Sequence, residues 1–595
     1  MLGRRALAAS LAVRLAVALA IRTAFAPDEY WQSLEVAHRV VFGYGHLTWE
    51  WAAGLRSYAH LLLFAGPYAV LRALHLDSAW AVVRVPLLLQ ALAAAATDLY
   101  VAATAALLFR RAVARWALAC QLASWFNAYC LGRTYSNSLE AALAAAGTYH
   151  WLRCRGSRAE AALGSSHGRP ACRSRSGGQR GGSGRHEEPP ATAERRHQRA
   201  WLACAALSVV FRPSSALFWV LPAALELARQ RSWALWVLLG DAALLGGGLL
   251  GAAALVDRVG YGRWVAVPWE FFRFNLLVGA SAQYGGHPWH WNITQGLPTV
   301  AASLLPLLVA GLAWAGGKEA RLPALLAGWS LAAYSLPAHK EFRFLLPALQ
   351  LLMPYCGLAA ASLRGSGNSS GQSGASKAAA VRRGGAQAAS EARLRGPAAW
   401  QRWGVAACLL LQLPMAAYFV LVHQGAQVGV MQLIRREAAA KPLSTSVLFL
   451  TPCHATPYYS HVHAAIPMRF LDCSPPQYAA ATAALNAAAE AWLPLPAACP
   501  TAGPGEQLSQ RRCFERDPAA YLATVLEGSA HAGTPAVPPQ RRPSLLVGYA
   551  PLMGRLDAQL QRWGYRPRAR LRNCWVQTDE DSPCQLQLWA LRDEA

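Results

Sequence analysis

Charge is scarce in this 595-residue chain: only 15% of residues are charged, and acids are the rarer kind, 31 Asp and Glu against 56 Lys and Arg. So little charge over such a length excludes a string of water-soluble domains. Lysine is nearly absent, and arginine carries almost all of the net charge of +25. That charge would suit nucleic acid, yet no basic, aromatic-interleaved recognition module is present. Nucleic acid is therefore not an expected partner. Corresponding halves of the kind that build many transporters are missing too.

Apolar sequence is what the chain has in quantity, 54% of its residues. Runs lie near residues 6–25, 59–75, 79–109, 116–132, 138–152, 200–228, 232–256, 298–315, 322–337, 342–362 and 403–423. Each approaches the ~20 residues that span a bilayer. The expectation is an all-α multispanning membrane protein with about ten spans over residues 1–423. The first run follows Arg4-Arg5 and ends at Ala24-Phe25-Ala26, as a cleaved signal would, but Arg14, Arg22 and Pro27 favour an uncleaved helix. Two Gly/Ser/Arg/Ala-rich stretches, 153–199 and 363–399, lack apolar periodicity and read as disordered insertions. The arginines of the first place it in the cytoplasm. Simple alternation of spans then fails, which points to broken segments such as Arg212-Pro213.

From residue 424 to 595 the composition turns to Pro and scattered aromatics without a spanning run, as in a mixed α/β domain outside the bilayer. Its six cysteines, Cys453, Cys473, Cys499, Cys513, Cys574 and Cys584, allow three disulfides in an oxidising lumen, with fifteen connectivities. His454, His461 and His463 beside Cys453 match no standard zinc spacing.

The acids gather after the first helix. At 100° per residue, Tyr30, Leu34, Ala37 and Val41 share one face, while Asp28, Gln32, Glu35 and Arg39 line the other. Such a helix lies at the membrane surface with its carboxylates toward water. The aromatic, glycine-punctuated Phe42–Trp51 stretch follows, including Trp49 and Glu50, and ends near Arg56-Ser57. Aromatics interleaved with polar groups suit a sugar or a headgroup, although Trp and Tyr also form interface belts. Asp98 and Arg84 lie within apolar runs, where an ion pair or a cavity role is expected. Arg133 and Asn137 join two runs. His287, Trp289, His290 and Gln295 belong to an aromatic loop that could fold over an amphiphile. Four ionisable groups crowd into His339-Lys340-Glu341-Phe342-Arg343; Lys340 and Arg343, three apart, can face one phosphate.

In that order, Pro27-Asp28-Glu29 with Gln32 and Glu35, Phe42-Gly43-Tyr44-Gly45, Thr48-Trp49-Glu50-Trp51, Arg56-Ser57, Arg133 with Asn137-Ser138, and His339–Phe344 resemble the multispanning mannosyltransferases that use dolichyl-phosphate mannose. The His287–Trp291 and Thr294–Pro298 segments, with Pro452–His461, are most similar to members that build the glycosylphosphatidylinositol (GPI) precursor by adding its third mannose in α1,2 linkage. The resemblance implies a GT-C fold in the endoplasmic reticulum membrane with the site facing the lumen. The donor is then a lipid-linked mannose and the acceptor a GPI glycolipid, with protein subunits unspecified. Because the donor is β-linked and the product α-linked, it implies one in-line displacement with inversion. Asp28 would be the base, with Glu29 the less favoured candidate; His339, Lys340 and Arg343 would bind the donor phosphate. Gln32, Glu35, Trp49, Glu50, Arg56, Arg133, Asn137, His287, Trp289, His290 and Gln295 would contact substrates. No cofactor is required; a divalent metal between the phosphate and Glu29 stays open. The alternatives are a sibling enzyme of N-glycan precursor assembly or of the fourth GPI mannose, a lipid or sugar transporter, and a non-enzymatic assembly subunit.

Overall fold

The computed structural model describes residues 3–166, 190–230, 233–278, 285–365, 399–496, 499, 508–528, 542–577 and 583–592. Helices form over every expected apolar run: α1 (Arg4–Ala20), α2 (Glu35–Phe42, after the acidic turn), α3 (Tyr58–Ala73), α4 (Ala79–Leu108), α5 (Arg111–Ala123), α6 (Ser136–Ser166), α7 (Pro190–Phe211), α8 (Ala216–Arg229), α9 (Trp233–Tyr261), α10 (Leu305–Trp314), α11 (Lys318–Ala333), α12 (Leu346–Leu363), α13 (Ala399–Leu410), α14 (Gln412–Leu421) and α15 (Gly425–Ala440). By length and composition, five stretches can cross a membrane: Ala79–Leu108, Trp233–Tyr261, Asn292–Trp314, Phe342–Leu363 and Ala399–Ala440. Some other runs are cut short by breaks. Ser124 ends α5 by capping the Trp125–Cys130 helix, its hydroxyl accepting from the Asn127 amide. Arg212-Pro213 separates α7 from α8, since proline cannot donate within a helix.

The insertion expected at 153–199 is shorter than that. Helix α6 runs on to Ser166 and α7 starts at Pro190, because Arg158-Ala159-Glu160-Ala161-Ala162-Leu163 are strong helix formers whether or not they show an apolar stripe. Residues 167–189 and 366–398, the rest of the two insertions, lie outside the described residues.

Five short strands, β1 (Val447–Phe449), β2 (Met468–Phe470), β3 (Leu545–Tyr549), β4 (Tyr565–Arg572) and β5 (Gln585–Leu591), form one sheet in the order β2-β1-β3-β5-β4. Strand β1 runs parallel to β2 and β3, and β5 pairs antiparallel with β3 and β4. The two-residue period of a strand sends Leu448, Leu546 and Trp589 into a core with Phe514, Tyr521 and Leu522. Val447, Phe449, Leu545, Val547 and Leu588 go the other way, onto Tyr30, Trp31, Leu34 and Ala37. The sheet thus roofs the acidic segment. Three disulfides, Cys453–Cys473, Cys499–Cys513 and Cys574–Cys584, use all six cysteines of this region.

Candidate active site

The acidic segment is not a surface helix with one wet face. Tyr30–Leu34 makes a π-helical turn before α2, which breaks the 100° register, and every residue from Glu29 to His38 is buried. Glu35 receives hydrogen bonds from the Tyr458 amide at 2.8 Å and from the Ser460 amide and hydroxyl. It therefore joins the acidic segment to the sheet region instead of facing a substrate. Burial pushes its carboxyl up to about 7, against the pull of those donors.

Glu29 is equally enclosed. Arg133 Nη1 donates to both its oxygens at 2.9 and 3.1 Å, and the Phe25 amide donates to Oε1 at 2.8 Å. The same guanidinium reaches the Thr23 carbonyl and hydroxyl and the Tyr129 carbonyl, each at 2.7 Å, and is wholly buried. A carboxylate so engaged is anchored, and Arg133 directs its buried guanidinium to these internal partners. Asn137 is also buried and accepts from Arg212 at 3.3 Å. Trp49 packs between Phe274 and the stacked ring of Tyr478.

Asp28 alone of these acids leads into the basic cluster. Arg343 Nη1 lies 2.6 Å from Asp28 Oδ2, and Nη2 donates to Glu341 at 2.6 Å. Arg343 is set by a 3₁₀ turn, Phe342–Leu345, entered from an extended Glu341. His339 Nε2 meets the same Glu341 oxygen at 2.9 Å. Burial acts to raise the Glu341 carboxyl, but the Arg343 charge and the His339 contact outweigh it and hold the group low, at about 2. Lys340 is buried and donates to the carbonyls of Pro337 at 2.7 Å and His287 at 3.0 Å, with no carboxylate partner among the described residues. Burial lowers its ammonium. Lys340 and Arg343 thus keep separate partners, one neutral and one anionic.

The His287 segment is brought to this cluster through that Lys340 bond and the Gly285 carbonyl, 3.3 Å from His339 Nδ1. The His287 ring stacks on Trp291, whose indole meets Phe342. Trp289 is exposed, His290 contacts Thr294, and Gln295 is exposed. On the acidic side, Gln32 Nε2 and Arg56 Nη2 both donate to Glu50, at 3.2 and 2.6 Å. Cys453, His454 and Cys473 are close enough to hold a metal, but the two sulfurs are spent on each other in a disulfide.

The model of the Alg9-like mannosyltransferase family matches residues 6–463. The chain belongs to the Alg9-like mannosyltransferase family. It is a glycosyltransferase. Mannosyltransferase APTG1 of Arabidopsis thaliana is 38% identical over 473 residues, 79% of this chain and 78% of that protein. GPI alpha-1,2-mannosyltransferase 3 of Mus musculus is 33% identical over 468 residues, 78% of this chain and 73% of that one. The crystal structure of ArnT from Cupriavidus metallidurans bound to undecaprenyl phosphate has a TM-score of 0.52 at 11% identity, covering 99% of this chain and 98% of that one. Such a likeness is one of fold, the GT-C fold of multispanning membrane glycosyltransferases.

The ion pair expected for Asp98 is present, with a partner that sequence reasoning did not name. Asp98 pairs with Arg14 at 2.7 Å and also accepts from Ser10, while Arg84 instead caps the Ala18 and Ile21 carbonyls. Arg212 pairs with Glu140 at 3.2 Å and lies 4.9 Å from the Phe344 ring centroid. Arginines inside apolar runs were the available signal; their partners are set by helix packing that no spacing rule supplies.

Proposed function

We propose that this chain transfers mannose from dolichyl-phosphate mannose to the GPI precursor, adding the third mannose in α1,2 linkage, at the lumenal face of the endoplasmic reticulum membrane. Relatives from animals and yeast named for that step, such as the mouse enzyme, support the acceptor and favour it over sibling reactions. About ten spans and a lumenal sheet region complete the reading.

The observation that carries the chemistry is the 2.6 Å pairing of Asp28 with Arg343. Inversion by in-line displacement needs a base for the acceptor hydroxyl and a cation for the departing phosphate. The attacking oxygen sits about 3–3.5 Å from the anomeric carbon and about 3 Å from its base. A carboxylate touching the phosphate-binding arginine leaves no room for that arrangement. In this mechanism the donor phosphate takes Arg343 from Asp28 and gains Lys340 and His339. The freed carboxylate then accepts the acceptor's proton as the new C–O bond forms, and the phosphate leaves with the electron pair of the old one. Gln32, Glu50 and Arg56, with the His287 segment, would bind the glycan.

Reconstitution of the full chain with dolichyl-phosphate mannose and a dimannosylated GPI acceptor tests the reading. A trimannosylated product with a new α1,2 linkage is expected. Transfer only to N-glycan precursors, or to a trimannosyl GPI, would replace it with a sibling reaction.

A further inference from the structure

Beside the Glu29–Arg133 pair opens a cavity of about 90 Å³, room enough for a phosphate group. Glu29, Tyr30 and Thr134 form part of its wall, whereas Asp28, Lys340 and Arg343 take no part in it. Three arginines from three separate elements converge on it: Arg22 from the segment after α1, Arg84 from α4 and Arg435 from α15. None of the three has a carboxylate within ion-pair distance among the described residues. Arg84 is oriented by the Ala18 and Ile21 carbonyls, which do not cancel its charge. The one acid in the wall, Glu29, is already neutralised by Arg133. His461, also in the wall, is pushed down to about 3 by burial and by Arg84 and Arg435, so it adds no charge and reports the positive field there.

The remaining wall is mostly apolar, with Ile21, Leu34, Leu87 and Met431 among its members and Thr23 and Gln432 as its polar ones. At the rim stands Trp80, 60% exposed, one residue inside the start of a helix able to span the bilayer. A tryptophan at a span's end marks the headgroup level. An uncompensated triple cation at that depth, backed by mostly apolar walls, has one natural ligand class.

We propose that this cavity binds the phosphate of an anionic membrane lipid, clamped by Arg22, Arg84 and Arg435, at a site separate from the one that takes the donor. The occupant staples the segment after α1, the start of α4 and α15 to one another, immediately behind the Glu29 turn that carries Asp28. Two sources share this chemistry, a glycerophospholipid of the bilayer and a polyprenyl phosphate.

The test is binding, so it does not depend on which acceptor the enzyme uses. Delipidated full-length protein is placed in phosphatidylcholine nanodiscs doped with phosphatidylinositol or with dolichyl phosphate, and retained lipid and melting temperature are measured. Wild type should retain phosphatidylinositol over phosphatidylcholine and melt higher with it. Arg22→Gln with Arg435→Gln should lower that retention by about tenfold, and Arg435→Lys should keep most of it. Retention of dolichyl phosphate alone, lost in the same double variant and kept in an Arg343→Gln variant, would support the clamp with a polyprenyl occupant. Equal retention of all three lipids by wild type, or unchanged retention in the double variant, would overturn the site.

Discussion

Arg343 holds Asp28 at 2.6 Å and holds Glu341 with its other nitrogen, so the proposed base and the arginine proposed to bind phosphate are paired with each other. Replacing Asp28 by Asn should therefore split the kinetic constants. Loss of a general base costs about 10²–10⁴ in kcat. Removing the carboxylate also frees Arg343, so the donor KM should fall, not rise. Steady-state kinetics on membranes with equal amounts of protein check both, and a near-normal kcat would move the base away from Asp28.

Glu29 behaves in the opposite way. Its carboxylate is 2% exposed and paired to a fully buried Arg133. Glu29→Gln leaves that guanidinium partly uncompensated, which costs about 3–5 kcal/mol for a buried pair broken on one side. The expected result is loss of folded protein, read as abundance and melting temperature. An abundant but inactive Glu29→Gln enzyme would instead return Glu29 to the chemistry.

How much of this was legible follows from what kind of information each feature needs. The helices were readable because apolar runs of spanning length have few other uses, and the three disulfides because six cysteines cluster in one non-spanning region. Asp28 and His339–Arg343 were readable as charges in places that penalise charge. Glu35 and Arg133 were expected at the substrate and have internal partners in the structure, because the same penalty has two remedies, a substrate or an internal partner. Their partners, Ser460 and Glu29, lie 425 and 104 residues away. The π-helical turn at Tyr30–Leu34 was invisible for a related reason: the roof formed by β1, β3 and β5 buries both faces of the segment, so an amphipathic pattern no longer marks a wet side.

Two glycines fix how closely the helices of the membrane region approach. A Cβ at Gly357 of α12 would lie 2.5 Å from the backbone nitrogen of Ala117 in α5, and one at Gly311 of α10 would lie 1.9 Å from the Tyr355 carbonyl oxygen in α12. Backbone cannot swing aside as a long side chain can. Small residues at such crossings are how membrane helices gain packing without a hydrophobic driving force. Gly357→Ala and Gly311→Ala should each cost about 1–3 kcal/mol, seen as a lower melting temperature in detergent. Gly328→Ala, where the added carbon meets nothing within 4 Å, should be neutral or slightly stabilising.

The Glu35 contact makes the union of the acidic segment with the sheet region sensitive to pH. Its folded carboxyl titrates at about 7, above the ordinary 4.5, because burial outweighs the three donors from Tyr458 and Ser460. A raised carboxyl means that the folded state keeps a proton which the unfolded chain releases. Its contribution to stability is therefore complete below pH 4.5, declines as pH rises toward 7, and has been lost above that. The full swing is about 3 kcal/mol. Melting temperature measured from pH 5 to pH 8 should fall on this account, and Glu35→Gln, which cannot ionise, should flatten the curve over the same range while losing one acceptor for the Ser460 amide. A wild-type profile that already matches the Gln variant would show that the carboxylate is ionised throughout, with the three donors outweighing burial.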